Sequence, residues 1–142
     1  MAAATTSEVF PCTPDQFFAI ISDYPKYPEF LSEVKGCKVL EAREDKKLVE
    51  FQVSVIKIFT YRLWMKEVAG KSVSWTLESG DLFKTSIGSW QLEAQGKGTK
   101  AIYSVDATFK IFVPGPVAKA LVNVNLPNMM KAYHERVRVK LG

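Results

Sequence analysis

Between residues 34 and 113, apolar and polar side chains alternate along the chain, and short turn sequences interrupt the alternation. A period of two is typical of β-strands, because successive side chains point to opposite faces of a sheet. The interruptions lie at residues 44–46, 70–71, 79–81 and 95–98, with a less distinct one at 56–59. The pattern therefore predicts about six consecutive antiparallel strands.

One face of the predicted strands is apolar, whereas alternating residues such as Glu50, Gln91 and Thr108 are expected to face water. A shift of one residue at the break near 56–59 would exchange the two faces. The residues assigned to the apolar face are Val49, Phe51, Val53, Val55, Tyr61, Leu63, Met65, Val73, Trp75, Leu77, Trp90, Leu92, Ala101, Tyr103, Val105, Ala107 and Phe109. A sheet with one apolar face needs another element to cover it.

Helix signals precede these strands. Thr13 can cap a first helical turn, and Gln16, three residues later, can complete a capping box. This helix is expected to end near Asp23, and a second helical turn is expected over residues 27–31. Residues 7–10 predict a short strand ahead of both helices.

The C-terminal part of the chain, residues 117–140, predicts a long helix with one apolar stripe and a kink at Pro127. It is the only predicted element long enough to cover the sheet. We therefore expect an α+β fold, in which a curved antiparallel sheet of about seven strands wraps around the C-terminal helix. Two short helices lie between strands one and two, and residues 1–142 form a single domain in this prediction.

Composition excludes several classes of protein. With 47% hydrophobic and 24% charged residues, the chain lies in the range of soluble globular proteins. Cys12 and Cys37 are too few for a disulfide-stapled domain, and a single histidine, His134, cannot form a multi-histidine metal site. We expect neither metal nor cofactor. Residues 1–6 show no leader, so we expect a cytoplasmic protein without a membrane span.

Three motifs resemble those of a known family. They are Phe17-x-x-Ile20-x-x-Asp23-Tyr24-x-x-Tyr27-Pro28-Glu29-Phe30-Leu31, then Phe83-x-x-x-x-Gly88-x-Trp90-x-Leu92 followed by Gly98-Thr99 and Tyr103, and finally Val113-Pro114. In these the chain resembles the START-like helix-grip superfamily, in its polyketide cyclase/dehydrase and coenzyme Q-binding branch. The resemblance covers nearly the whole chain. It implies a cavity for hydrophobic molecules between sheet and helix, in a family with quinone-binding, lipid-binding, aromatase/cyclase and ribosome-associating members.

The leading functional hypothesis is that the chain binds or transports a hydrophobic small molecule, such as a lipid, a quinone or a polyketide-like aromatic. Apolar walls with a few hydroxyl and indole donors suit a ligand with one or two oxygens. The candidate cavity residues are Phe51, Val53, Tyr61, Leu63, Met65, Trp75, Leu77, Trp90, Tyr103, Val105, Phe109, Leu121, Val122, Asn125, Met129 and Tyr133. A solid aromatic core is the alternative interpretation of the same pattern.

Two further functions remain open. An aromatase/cyclase-type enzyme could move protons with Tyr61, Tyr103, Asn125 or Arg62, although no catalytic signature is present. A ribosome-associating module, or one that contacts an anionic membrane, could use the basic residues of the last helical turns, which also complement the helix dipole. These basic residues are Lys131, Arg136, Arg138 and Lys140. No DNA contact is expected.

The aromatic and acidic cluster of the first motif also has two interpretations. Asp23 can end the first helix, while Tyr27 and Phe30 can pin the second helix to the sheet edge. The alternative is that Asp23, Tyr24, Tyr27 and Glu29 control access of a ligand to the cavity.

Overall fold

The computed structural model describes residues 2–54, 58–110 and 126–141. The described chain contains seven strands, two α-helices and one 3-10 helix, in an order that follows the sequence prediction. The strands are β1 (Ala2–Phe10), β2 (Val34–Ala42), β3 (Lys46–Ser54), β4 (Ile58–Val68), β5 (Ser72–Gly80), β6 (Phe83–Gln95) and β7 (Gly98–Phe109). The α-helices are α1 (Pro14–Ile21) and α2 (Leu126–Leu141), and the 3-10 helix is Tyr24–Glu29.

The seven strands form one antiparallel sheet in the order β1-β7-β6-β5-β4-β3-β2. Neighbours from β2 to β7 are consecutive in sequence, as the evenly spaced turns predicted. The exception is β1, which pairs with β7 so that Ala2 lies opposite Ala107 and Phe10 opposite Thr99. The curved antiparallel sheet and the C-terminal helix confirm the predicted fold class.

The alternation of apolar residues assigned the two faces of the sheet correctly. Every described residue of the predicted apolar face is buried or packs against the core. Val55 and the predicted break at 56–59 fall largely in residues 55–57, which lie outside the described residues. The pairing of β3 with β4 agrees with the predicted faces on both sides of this gap, since Phe51 lies opposite Tyr61 and Val53 opposite Phe59.

The capping box at the start of α1 is confirmed. The Thr13 hydroxyl oxygen accepts from the Gln16 amide at 3.2 Å, and the Gln16 side-chain oxygen accepts from the Thr13 amide at 2.9 Å. The helix ends at Ile21 with Ser22 as its C-cap, close to the predicted end near Asp23. The Ser22 hydroxyl donates to the Phe18 carbonyl at 2.7 Å, which supplies the local cap.

Two element boundaries differ from the prediction. The 3-10 helix begins at Tyr24 instead of residue 27 and ends at Glu29, because a proline at position 25 is accommodated in a first helical turn, where no amide donor is needed. Strand β1 begins at Ala2 instead of residue 7. Its first half is rich in alanine and threonine and lacks alternation, and it is held by pairing along the whole of β7.

The C-terminal helix is described from Leu126 to Leu141, and residues 117–125 of the predicted helix lie outside the described residues. Pro127 is therefore the second residue of the described helix. Met130, Tyr133 and Val137 are buried and follow a spacing of three and four, which confirms the apolar stripe in this part.

An aromatic cluster joins α1 and α2 to the sheet at one end of the core. The Phe17 ring stacks on Phe10 with centroids 4.3 Å apart and meets Trp90 edge-on at 5.3 Å. Trp90 in turn contacts Tyr133 of α2 at 5.2 Å. We call Phe10, Phe17, Trp90 and Tyr133 the closed-end cluster, because these four side chains fill the space between sheet and helices at this end.

Candidate ligand-binding cavity

A cavity of about 260 Å³ lies beside the closed-end cluster, between the apolar face of the sheet and the two elements that cover it, the 3-10 helix and α2. Strands β2 to β7 all contribute side chains, because each turns alternate residues to this face. The lining residues are Tyr27, Leu31, Glu33, Val34, Phe51, Val53, Tyr61, Leu63, Met65, Trp75, Leu82, Phe83, Ser86, Tyr103, Val105, Ala107, Phe109, Met129 and Tyr133.

The structure brings eleven of the sixteen predicted cavity residues together in this lining. They are Phe51, Val53, Tyr61, Leu63, Met65, Trp75, Tyr103, Val105, Phe109, Met129 and Tyr133. Leu121, Val122 and Asn125 lie outside the described residues. That the lining binds a ligand stays a prediction.

Two predicted cavity residues, Trp90 and Leu77, do not line the cavity. Trp90 is buried in the closed-end cluster, where Phe17 and Tyr133 occupy the space that a ligand would need. Leu77 is half-buried against the core. Both lie on the face that the alternation predicts, but this face extends beyond the cavity.

Eight lining residues were not among the sequence candidates for the cavity wall. They are Tyr27, Leu31, Glu33, Val34, Leu82, Phe83, Ser86 and Ala107. Ala107 had been assigned to the apolar face and Tyr27 to ligand access, whereas the others lie in or beside irregular segments. These segments carry no periodic signal that would place them at the cavity.

Aromatic rings form a continuous part of the cavity wall. Phe51 stacks on Tyr61 at 5.4 Å, and Tyr61 meets Phe83 edge-on at 4.9 Å. Phe83 contacts Phe109 at 5.6 Å, which extends the row from β3 to β7. Offset and edge-to-face contacts of this kind fix ring orientations. The wall is therefore preformed in the absence of a ligand.

Trp75 lies flat against the neighbouring strand because residue 88 has no side chain. Trp75 and Gly88 are direct partners in the β5–β6 ladder. A Cβ at position 88 would stand 2.3 Å from Cζ2 of the indole and 2.6 Å from the Ser104 carbonyl oxygen. Glycine thus gives the indole its position in the cavity wall.

Four tyrosines carry their hydroxyl groups into or next to the cavity, and these differ in their partners. The Tyr27 hydroxyl donates to the Ile21 carbonyl and lies beside Tyr133. In the described part of the chain, no hydrogen-bond partner is found for the hydroxyls of Tyr61 and Tyr103. Every completely enclosed side-chain nitrogen or oxygen atom in this part of the chain has a hydrogen-bond partner. The two hydroxyls have none, so they are not completely enclosed and open onto the cavity that both residues line. Burial raises the pKa of Tyr61 and of Tyr103 well above the usual value, which keeps both phenols neutral at physiological pH.

Residues 10–133 match the family model for polyketide cyclase/dehydrase and lipid transport proteins. The chain belongs to this family. It is also 33% identical, over 96% of its length and 95% of the relative's, to the ribosome association toxin RatA of Pseudomonas aeruginosa. The resemblance drawn from the three motifs is therefore confirmed.

Solved structures share the fold of this chain. A START superfamily protein from Mycobacterium smegmatis matches with a TM-score of 0.84 and 22% identity, over 96% of this chain and 97% of the other. The Zhui aromatase/cyclase from Streptomyces sp. R1128 matches with a TM-score of 0.70 and 17% identity, over 97% and 87%. At these identities the matches show the helix-grip fold alone.

The family motif around Tyr24 anchors the 3-10 helix to the sheet. Tyr24 is fully buried, and its hydroxyl donates to the Glu67 carboxylate at 2.7 Å. The Lys47 ammonium lies 3.3 Å from the same oxygen and close to the Tyr24 ring. Burial, followed by the hydrogen bond to Glu67, raises the pKa of Tyr24. These contacts favour the structural interpretation for Tyr24.

Arg136 joins α2 to the same 3-10 helix from the other side. Its guanidinium is nearly buried, lies over the Phe30 ring and donates to Glu29 at 3.0 Å. The sequence grouped Arg136 with the other basic residues of the last helical turns, but it follows Tyr133 by three positions and therefore lies on the buried side of the helix. Lys131, Arg138 and Lys140 are exposed.

The link between Glu29 and Arg136 should make stability depend on pH. The hydrogen bond from Arg136, together with Lys26, lowers the pKa of the Glu29 carboxyl. A carboxyl with a lowered folded-state pKa stabilises the protein above its unfolded pKa of about 4.3, and this contribution is lost as pH falls through the folded value. We expect Glu29→Gln to lower the free energy of unfolding at pH 7, as measured by urea denaturation, and to have progressively less effect as pH falls below about 4.

The matched control is Glu44→Gln, because Glu44 is exposed in the turn between β2 and β3. This variant should follow the wild type at both pH values. An equal effect of Glu29→Gln at pH 7 and at acid pH would show that the ion pair is not responsible.

Two kinds of feature are absent from residues 2–54, 58–110 and 126–141. No group of three or more His, Cys, Asp or Glu side chains is placed there to hold a metal ion. No helix there is both long and apolar enough to span a membrane. His134 does not line the cavity; it stacks on Phe10 at 4.3 Å and lies 3.4 Å from Glu8 of β1.

Proposed function

We propose that this protein binds a hydrophobic small molecule in the cavity between the sheet and α2, and that it holds or carries this molecule without transforming it. The observation that carries the proposal is the cavity itself: about 260 Å³, enclosed mainly by aromatic and aliphatic side chains, with two phenol hydroxyls left without partners. A solid core would have filled this space, since protein interiors are close-packed. The family description, which includes lipid transport, agrees with this use.

Desolvation supplies the affinity in this proposal. A cavity of about 260 Å³ suits a compact ligand or the head of a longer one. Burial of about 300 Å² of apolar ligand surface would contribute roughly 7 kcal/mol before ordering costs. The preformed aromatic wall keeps those ordering costs low, because few side chains must be immobilised on binding.

Native mass spectrometry of the purified protein is the direct test. We expect a stoichiometric adduct, or one that forms after incubation with neutral aromatic or prenylated compounds, and extraction under denaturing conditions would identify it. A spectrum that stays empty after such incubation would contradict the proposal.

Filling the cavity should abolish binding. Val105 lies on β7, pairs with Gly88 of β6 and lines the cavity. We expect Val105→Trp to fold, because the added ring enters empty space, and to bind ligand at least about tenfold more weakly in a calorimetric titration. Ile87→Trp is the control, since Ile87 is exposed on the opposite face of the sheet. Equal affinity in both variants would place the ligand elsewhere.

Ribosome association is a second candidate, favoured by the 33% identity with a ribosome association toxin. The exposed side of α2 offers Lys131, Arg138 and Lys140, although Arg138 already pairs with Glu135. Basic side chains bind RNA phosphates in a salt-dependent way. Salt-sensitive cosedimentation with ribosomal particles that is retained in Val105→Trp would support this candidate as a function separate from the cavity.

An aromatase/cyclase-type activity has less support. Arg62, one of the proton-transfer candidates, pairs with Glu50 at 3.0 Å on the outer face of the sheet. Tyr61 and Tyr103 line the cavity, but burial raises the pKa of each phenol, which disfavours either as a base at neutral pH. Asn125 lies outside the described residues. The binding role uses the same two phenols as neutral donors instead.

A further inference from the structure

The charges around the cavity restrict the chemistry of its ligand. Among the lining residues that the structure describes, the side chain that carries a charge at neutral pH is Glu33, which is exposed at the end of the cavity next to β2. No lysine, arginine or histidine is among these residues. A ligand anion in this part of the cavity would therefore meet no positive partner.

Two basic groups that contact the 3-10 helix are already engaged outside the cavity. The Arg136 guanidinium donates to Glu29, and the Lys47 ammonium lies against Glu67 next to Tyr24. Turning either group inward would break its ion pair. Within the described residues, the lack of positive charge is thus a stable property of the wall.

The polar groups that do face the cavity are neutral hydroxyls. Tyr61 and Tyr103 have no hydrogen-bond partner in the described part of the chain, and the same holds for Ser86, whose hydroxyl is not completely enclosed. Because burial raises the pKa of the two phenols, they stay protonated and can donate. A ligand oxygen with free lone pairs would satisfy them.

We infer that the cavity selects uncharged ligands that present a carbonyl or similar acceptor oxygen to Tyr61 and Tyr103, and that it discriminates against carboxylates. The inference rests on the proposed function. A neutral acceptor gains hydrogen bonds that water no longer supplies. A carboxylate could accept the same hydrogen bonds, but it would also bring an unpaired charge into an apolar site. The free-energy cost of removing that charge from water exceeds the free energy gained from hydrogen bonds with neutral donors.

Three naphthalene derivatives of nearly equal size test this selectivity. Methyl naphthyl ketone carries a neutral acceptor, naphthoate replaces its methyl group with a charged oxygen, and isopropylnaphthalene has no acceptor. In calorimetric titrations of the full chain at pH 7.5, we expect the ketone to bind about 3- to 10-fold more tightly than the hydrocarbon. We expect naphthoate to bind at least about tenfold more weakly than the ketone.

The variants Tyr61→Phe and Tyr103→Phe assign the preference to the two hydroxyls. Each should reduce the ratio of ketone affinity to hydrocarbon affinity, and the double variant should bring it close to one. Thr108→Val is the control, because it also removes a hydroxyl from β7 but at an outer position, next to Thr85, that does not line the cavity. The ratio should be unchanged in this control.

The outcomes separate the two proposals. If naphthoate binds as tightly as the ketone, or if the ratio is the same in the double variant as in the wild type, the inferred selectivity is overturned while the cavity remains a binding site. If none of the three compounds binds, the proposed function itself fails for ligands of this class. Ketone selectivity that is lost in the double variant and kept in Thr108→Val supports the inference.

Discussion

Replacing Phe17 with alanine is expected to lower the free energy of unfolding by about 4 kcal/mol, the largest effect of any single substitution proposed for this protein. Phe17 is completely buried, and its ring contacts Phe10 of β1, Trp90 of β6 and Tyr133 of α2. These partners come from three elements that are fixed by their own hydrogen bonds, so the space left by the ring cannot easily close. A cavity that stays open adds its cost to the lost transfer free energy.

Urea denaturation followed by far-UV circular dichroism measures this effect. The control is Val139→Ala, which removes an exposed apolar side chain from the outer side of α2 and should change the free energy of unfolding by less than about 0.5 kcal/mol. A loss of less than about 1 kcal/mol in Phe17→Ala would show that the closed-end cluster can repack.

Replacing Gly88 with alanine is expected to cost about 3 kcal/mol, at the upper end of the range for overpacking. The new methyl group would overlap the Trp75 indole and the Ser104 carbonyl oxygen at the same time. The carbonyl belongs to β7, which pairs with a strand on each side and cannot withdraw, so the indole must move. Because Trp75 lines the cavity, this substitution should affect ligand binding as well as stability.

The matched control is Gly36→Ala on the edge strand β2. Its new Cβ would meet the side-chain oxygen of Gln52 at 3.0 Å, and this exposed side chain can turn away. We expect Gly88→Ala to shift the tryptophan fluorescence spectrum as well as the urea midpoint, and Gly36→Ala to leave the spectrum unchanged. Equal midpoints in the two variants would contradict the role assigned to Gly88.

The sequence predicted the sheet well because strand periodicity is a local property. Each of the strands from β3 to β7 carries its own alternation, and the inward assignment of Phe51, Tyr61 and Tyr103 needed no knowledge of their neighbours. These residues meet in space because every strand contributes the same face. The cavity wall built by regular strands was therefore predictable.

Side chains at irregular positions were not predictable in this way. Phe83 and Ser86 both line the cavity although they are an odd number of positions apart, because the ladder between β6 and β7 shifts its register between Phe83 and Thr85. A shift of this kind reverses the alternation locally. Leu31 and Glu33 reach the cavity from the segment between the 3-10 helix and β2, whose path depends on the anchoring of Tyr24 and Arg136.

Arg136 illustrates why charge patterns alone mislead. In sequence it is one of several basic residues near the end of a helix, and the helix dipole accounts for all of them equally. Its spacing from Tyr133 nevertheless places it on the buried side of the helix. There its guanidinium lies over the Phe30 ring and donates to Glu29. The partner is more than a hundred residues away in the chain, and no local pattern contains that information.

The pairing of β1 with β7 determines when this protein can complete its fold during synthesis. The backbone partners of β1 are residues 99–107, so the first strand leaves the ribosome long before the last one exists. The rings that surround Phe17 are equally late, since Trp90 and Tyr133 follow it by most of the chain. The strands from β2 to β6 can assemble hairpin by hairpin as they emerge, whereas the N-terminal segment must wait. Folding of this domain is therefore completed only after β7 and α2 have been synthesised, because these elements supply the partners of β1 and Phe17.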